Sequence, residues 1–351
     1  MTHGDIERVA VFRALQVGDL LVAVPALRAL RALFPRAHLS LVALPWAQAL
    51  AARLPWLDGF LPFPGHPQLP ERTPEPGELQ RFLDDVQALD LDLAVQLHGS
   101  GQVTNSLVAQ FGARQVAGFH PAGADCPDPR WFLPWPEQGR EAERLLRLPH
   151  HLGAPEVPLA LEIAVLPEDE AEVDGLWSGV GGRPPRYVCV HPGARWRSRR
   201  WPPAHFAAVA RALHRHGCAI VLTGSPAEAE TLDEFRRVAS VPLIDAANRT
   251  SLGGLAALLR GACLLLSNDT GVAHLAAAVC TPGVIVCSGA DARRWAPLDP
   301  KRRRMLHHPV PCRPCSFELC PTGHECALGV APPAVLRACL ELLDESVRHA
   351  A

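Results

Sequence analysis

The sequence predicts an α/β protein of two Rossmann-like domains facing each other across a cleft, on three observations. The chain has 351 residues, more than twice the roughly 150 expected of one domain. In both halves, short apolar runs alternate with amphipathic segments of helical length, the pattern of parallel strands joined by right-handed crossovers. Between the halves the chain turns polar and acidic from Leu166 to Glu172, then rich in Gly and Pro from Gly179 to Pro185. That stretch reads as the interdomain linker. The expected divisions are 1–170, 171–330, and a final helix over 331–351 that packs back on the first domain.

The elements follow in order. Val9 to Ala14 reads as a buried strand, followed by a turn at Gln16-Val17-Gly18-Asp19. Leu20, Val24, Leu27 and Arg31 then fall at helical spacing, so the first three share one buried stripe. Leu39 to Leu44 is a second strand, and Ala94 to Leu97 a later one that ends at His98-Gly99-Ser100-Gly101. Six prolines between Pro62 and Gly77 predict an extended loop, as does the Pro-rich stretch from Pro121 to Pro136. In the second half, strands are expected at Tyr187–Val190, Cys218–Leu222, Val241–Ile244, Cys263–Leu266 and Val284–Cys287. Helices between them are expected around 203–216, 226–239, 252–260 and 270–279. No internal repeat is visible in the residues.

Composition excludes several function classes. Against 36 acidic residues stand 34 basic ones, a formal net charge of −2, without the basic excess of a nucleic-acid binder. A 48% hydrophobic, 20% charged chain can fill a core and does not read as disordered. Asp5, Glu7 and Arg8 precede the first apolar run, unlike a secretory signal. No run reaches the roughly 18 uninterrupted apolar residues of a membrane span. The expectation is a soluble, cytoplasmic protein with reduced thiols. Of eleven Cys, seven read as core residues.

Six segments carry residues suited to chemistry. Gly18-Asp19 lies at a strand's carboxyl end, where ligands of open α/β sheets bind. Asp19 is either a helix cap or a general base able to take a proton from an acceptor hydroxyl. Ser267-Asn268-Asp269-Thr270-Gly271 follows a strand and opens a helix containing His274. Its backbone N–H groups and the Thr270 hydroxyl suit an anion, though Asp269 also reads as a cap. Neither a G-x-G-x-x-G nor a Walker A sequence is present, which argues against a dinucleotide site and a P-loop. His191-Pro192-Gly193-Ala194 leads to Arg195, Arg197, Arg199 and Arg200, either a solvated charge run or a group that neutralises a diphosphate. Thr223-Gly224, with Glu228 behind, suits a ribose or base. Cys312-x2-Cys315-x4-Cys320-x5-Cys326, with His324 between, leaves open a structural zinc site or reduced, packed thiols. Lys301-Arg302-Arg303-Arg304 reads as a solvated turn or as a patch for an anionic surface.

Taken together, these segments resemble glycosyltransferase family 9, the ADP-heptose:lipopolysaccharide heptosyltransferases. Leu15-Gln16-Val17-Gly18-Asp19 with Pro25-Ala26-Leu27 is similar to the family's L-G-D-x5-P-A-L opening. Pro192-Gly193-Ala194 with Arg199-Arg200-Trp201-Pro202 is similar to its P-G-A…K-R-W-P segment, and Asn268 to His274 to its N-D-[ST]-G-x-x-H block. The Cys run, with Cys320-Pro321-Thr322-Gly323-His324, resembles the heptosyltransferase II branch. The resemblance implies a GT-B fold, with an acceptor-binding N-terminal domain and a nucleotide-sugar-binding C-terminal domain. It also implies inverting transfer that requires no metal. Carried over, Asp19 is the base and Asp269-Thr270-Gly271 the diphosphate site. Arg199 stands where the family has Lys, and a planar fork there replaces a point charge. The implied partners are ADP-heptose, a lipid A–core oligosaccharide acceptor and, peripherally, the inner leaflet of the cytoplasmic membrane. Two alternatives stay open: another nucleotide sugar or acceptor, and a non-catalytic metal- or sugar-binding protein that kept the fold.

Overall fold

The structure is a computed structural model that describes residues 6–350; Asp5 and Ala351 lie outside the described residues. The chain divides into two compact units, Met1–Ala164 and Val165–Ala351. In the first, six strands are β1 (Arg8–Phe12), β2 (His38–Ala43), β3 (Gly59–Pro62), β4 (Leu93–Gln96), β5 (Gln115–His120) and β6 (Phe132–Pro134). The helices are α1 (Val17–Leu21), α2 (Val24–Leu33), α3 (Gln48–Ala51), α4 (Glu78–Gln87), α5 (Thr104–Ala109) and α6 (Glu141–His151). All strands pair in parallel, in the order β3-β2-β1-β4-β5-β6. Strand β1 is central, with Val9 opposite Leu39 on one side and Leu93 on the other. Helices cover both faces of such a sheet, so its strand reads as an unbroken apolar run rather than an alternating one. On one face Phe12, Phe63, Phe82 and Phe111 pack edge to face, with centroids 5.0–6.0 Å apart.

The second unit holds β7 (Tyr187–His191), β8 (Ala219–Leu222), β9 (Leu243–Asp245), β10 (Leu264–Asn268), β11 (Gly283–Val286) and β12 (Arg303–Leu306). Its helices are α7 (Pro167–Ser178), α8 (Pro203–Arg215), α9 (Ala229–Ala239), α10 (Leu252–Arg260), α11 (Gly271–Ala278), α12 (Glu325–Leu328) and α13 (Pro332–Ala350). The strand order is β12-β11-β10-β7-β8-β9. Counted from its own first strand, this is the same order as in the first sheet. The sequence shows no repeat, but the topology does. In each unit the order reverses beside the first strand, between β1 and β4 and between β7 and β10. Loops leaving the carboxyl ends of those pairs diverge and leave room for a ligand.

Several expectations are corrected. The single helix expected from Leu20 to Arg31 is two, α1 and α2, because Pro25 lacks an N–H and sits in the first turn of a new helix. The linker region is partly helical: α7 occupies 167–178 and belongs to the second unit. Glu172 there accepts hydrogen bonds from the Ser251 N–H and hydroxyl at 2.5 and 2.6 Å, and the Trp177 ring lies 5.0 Å from that of Tyr187. The boundary accordingly falls at 164/165, not 170/171. The final helix is part of the second unit. In α13, Val335, Ala338, Cys339, Leu342 and Leu343 join the core of the second unit, with Trp201, Phe206 and Phe235. Strands β3, β5, β6 and β12 were not foreseen. All lie at or near sheet edges, where runs are short and mixed in polarity. Of the seven Cys read as core, Cys126 and Cys280 are exposed and Cys263 half-buried.

Candidate active site

The Gly18-Asp19 segment in the first unit, and the segments after β7 and β10 in the second, each fall at a switch point of their own unit. In the first, the chain leaves β1 through Arg13 and enters α1, whose third residue is Asp19. The carboxylate accepts a hydrogen bond from the Gln16 N–H at 3.3 Å, so it does cap its helix. Its side chain nevertheless keeps 25% of its exposure. Arg13, almost fully buried, donates from Nε to the Asp19 carbonyl at 2.6 Å and from Nη1 to the Leu97 carbonyl. His98, at the end of β4, accepts the Ala14 N–H on Nδ1 at 3.1 Å and stacks on Phe12. Burial first, then the Arg13 charge, push its imidazole down to about 3. The ring is therefore neutral, with its proton on Nε2. Neither Arg13 nor His98 was singled out in the sequence. The one available signal was a charged residue closing an apolar strand.

In the second unit the loop after β7 is braced by Asn268, fully buried at the end of β10. Its Nδ2 donates to the carbonyls of Pro192 and Gly193 at 2.8 and 3.1 Å, and its Oδ1 accepts the Trp201 N–H at 2.8 Å. Trp201 is buried and donates its indole N–H to Val330 at 2.9 Å. Asn268 thus fixes both ends of the Arg-bearing loop. Truncating it strands a buried N–H and two carbonyls, so Asn268→Ala should cost about 3 kcal/mol in urea unfolding. A loss within error would show the loop to be held elsewhere.

The four arginines separate. Exposed Arg197 pairs with Glu230 at 2.6 Å, and Arg200 donates to the Ala194 carbonyl at 2.8 Å. Arg195 is exposed and, among the described residues, its side chain has no hydrogen-bond partner. Half-buried Arg199 donates from Nη2 to the Cys315 carbonyl at 2.5 Å, whereas its Nη1 is shielded from solvent with no partner. Thr223 and Glu228 are buried around His191: Thr223 Oγ1 lies 3.1 Å from Nδ1 and Glu228 Oε1 3.3 Å from Nε2. Burial alone would raise the Glu228 carboxyl. The hydrogen bond and charge of His191, with the Ser225 N–H and hydroxyl, outweigh it and hold the group at about 2. A Cβ on Gly193 would lie 2.1 Å from Glu228 Oε1, so any side chain there would displace the Glu228 carboxylate from His191. A Cβ on Gly224 would lie 2.7 Å from Leu232 Cδ2. Thr223 and Glu228 thus hold the His191 ring at the end of β7, while Gly224 packs against Leu232 of α9.

Asp269, Thr270 and Gly271 lead from β10 into α11. Thr270 is the N-cap residue, yet its hydroxyl makes no capping bond and has no other partner. His274, one turn on, lies half-buried with its ring 5.6 Å from that of Trp295. Burial raises the Asp269 carboxyl to about 6, against the opposing pull of Arg199, the Cys287 thiol 3.7 Å away and Arg313. Because the folded value lies above the unfolded 3.8, this group's stabilising contribution is complete below the unfolded value. It is lost as pH rises through about 6. Asp269→Asn, always neutral, should raise the thermal midpoint at mildly alkaline pH, the sign expected where function is held against stability. A lower midpoint there would refute this.

Cys312, Cys315, Cys320 and Cys326 line one cavity of about 40 Å³, together with Ser198 and His324. Among the described residues, no group of three or more His, Cys, Asp or Glu is arranged to hold a metal ion. The loop clasps the turn that carries Arg199. The Ser198 N–H and hydroxyl donate to Glu318 and Phe317 at 2.9 and 2.5 Å, and His324 Nε2 donates to the Ser198 carbonyl at 3.0 Å. The basic run is a solvated turn in its first half, with Lys301 and Arg302 exposed in a turn, and a strand in its second. Arg303 and Arg304 lie in β12, with Arg303 buried, and Arg302 and Arg303 donate to the carbonyls of Cys280 and Ala277. No described helix is long and apolar enough to cross a membrane.

Comparison with known proteins follows the same lines. The family model described as Glycosyltransferase family 9 (heptosyltransferase) matches residues 92–325. The chain is 34% identical to lipopolysaccharide heptosyltransferase 3 of Escherichia coli over 123 residues, which is 34% of this chain and spans about a third (35%) of that relative. It is 26% identical to lipopolysaccharide heptosyltransferase 2 of Salmonella typhimurium, covering 94% of this chain and 96% of that one. A solved structure, E. coli ADP-heptose lps heptosyltransferase II, shares the fold with a TM-score of 0.72 and 20% identity, covering 97% of this chain and 99% of that one. With two parallel six-stranded sheets of one topology, and one family matching most of its length, the chain belongs to glycosyltransferase family 9 and is a glycosyltransferase of GT-B fold.

Proposed function

We propose that this enzyme transfers heptose from ADP-heptose to the inner core of lipopolysaccharide, inverting the anomeric centre without a metal ion. The observation that carries the reading is a pair of unpartnered donors, Arg199 Nη1 and the Thr270 hydroxyl, flanking Asp269 where α11 begins. Shielded donors without partners call for a ligand, and a helix N-terminus favours an anionic one. A nucleoside diphosphate supplies that charge, and the relatives named above act in lipopolysaccharide synthesis.

In this reading the acceptor hydroxyl oxygen forms a bond to the anomeric carbon as Asp19 takes its proton. The bond from that carbon to the diphosphate oxygen breaks on the opposite face, and its electron pair leaves with ADP. Arg199 and the α11 N-terminus stabilise the charge that gathers on the diphosphate. A diphosphate leaves without protonation, so no general acid is assigned. The acceptor is lipid-linked, so the enzyme works in the cytoplasm at the inner leaflet, through peripheral contact. Incubation with ADP-heptose, GDP-sugars and UDP-sugars, each with heptose-free and with singly heptosylated lipopolysaccharide, tests this. Transfer from ADP-heptose alone is expected. Transfer from another donor would assign another nucleotide sugar, and no turnover with any donor would favour a binding protein.

A further inference from the structure

Arg13, Glu141 and Arg144 form a buried charge chain that ends at Asp19. Side-chain exposure is 1% for Arg13, 3% for Glu141 and 6% for Arg144, but 25% for Asp19. Of these four groups, only Asp19 opens appreciably to solvent. Arg13 Nη2 lies 4.0 Å from Asp19 Oδ1 and 3.8 Å from Glu141 Oε1. Glu141 in turn meets Arg144 Nη1 at 3.2 Å, and Arg144 donates from Nε to the Pro136 carbonyl at 2.6 Å with its guanidinium 4.5 Å over the Trp135 ring. Two cations and two carboxylates balance.

A buried ion network adds little stability over well-packed apolar side chains, so stability alone does not account for it. Its geometry does more. One planar fork holds the Asp19 main-chain carbonyl, faces the Asp19 carboxylate, and anchors both to the end of β4 through Leu97 and to the start of α6 through Glu141. Ammonium could not meet these directions at once.

Resting on the reading of Asp19 as base, we propose that Arg13 is its positioning residue and that Glu141 fixes Arg13. Arg13 is too buried to touch substrate. It sets the direction of the carboxylate and keeps a cation beside it. Misplacement of a reacting group by about 1 Å can cost on the order of 100-fold in rate.

The test measures kcat, donor KM and thermal midpoint for Arg13→Gln, Arg13→Lys and Glu141→Gln, each alone and with Asp19→Asn, in the full chain with ADP-heptose and whichever of heptose-free or singly heptosylated lipopolysaccharide the wild type uses. Arg13→Gln should lower kcat by about 100-fold with donor KM unchanged, and Arg13→Lys should recover part of it. With Asp19→Asn present, neither Arg13 variant should lower kcat further. If Arg13→Gln does not fold, Glu141→Gln, which keeps size and removes a charge, carries the same comparison. An equal fall with and without Asp19→Asn, or a lowered midpoint with kcat intact, would overturn the proposal and leave the network structural. If Asp19→Asn alone keeps wild-type turnover, the base reading fails instead, and the clamp with it.

Discussion

Asp19→Asn is expected to lower turnover by about 10²–10⁴-fold, the range for loss of a positioned general base, while barely moving the thermal midpoint. The two halves of this expectation have separate causes. Asn keeps an oxygen for the Gln16 N–H, a long contact at 3.3 Å, so α1 keeps its cap. What Asn cannot do is take a proton from the attacking hydroxyl. Donor KM should stay near its wild-type value, since the proposed donor contacts lie in the other unit. ADP release with and without acceptor, together with a melting curve, checks all three quantities. Turnover within about tenfold of wild type would lie well below the general-base range and reduce Asp19 to a helix cap.

Much of this was legible because the signals are local. A Gly-Asp pair after an apolar strand, and an Asp-Thr-Gly opening a helix, are set by backbone requirements within a few residues. What escaped depends on partners far along the chain. Asn268 looked like part of an anion site, but its side chain braces residues 67–76 positions away. Thr223 and Glu228 had the polarity and placement of ligand contacts. Only packing around His191 shows how their polar atoms are used. Arg13 was hidden inside an apparent strand, and Glu141 is 128 residues further on. Leu20, Val24 and Leu27 lie on one stripe whether the helix is whole or broken, so periodicity could not reveal the break before α2. The repeated strand order is likewise a property of crossovers, which impose no residue identities.

Arg199→Gln should be the most damaging change on the donor side, lowering kcat/KM by on the order of 10²–10³-fold. The argument rests on which hydrogen bonds the group can still offer. Arg197 is held by Glu230 and Arg200 by Ala194. Arg199 is fastened at Nη2 by the Cys315 carbonyl and keeps Nη1 shielded and open beside Asp269. A donor already in place needs no reorganisation when charge develops on the departing diphosphate, so the loss should appear in kcat as well as in donor KM. Arg199→Lys separates charge from shape: the ammonium keeps the former but cannot hold Cys315 and a phosphate together. It should fall between wild type and Arg199→Gln. Arg197→Gln, removing an exposed ion pair, serves as the control and should change kcat/KM little. If Arg195→Gln instead carries the loss and Arg199→Gln does not, the diphosphate is met by the exposed arginine. The clasp of the Cys loop on Ser198 and Arg199 would then serve the fold alone.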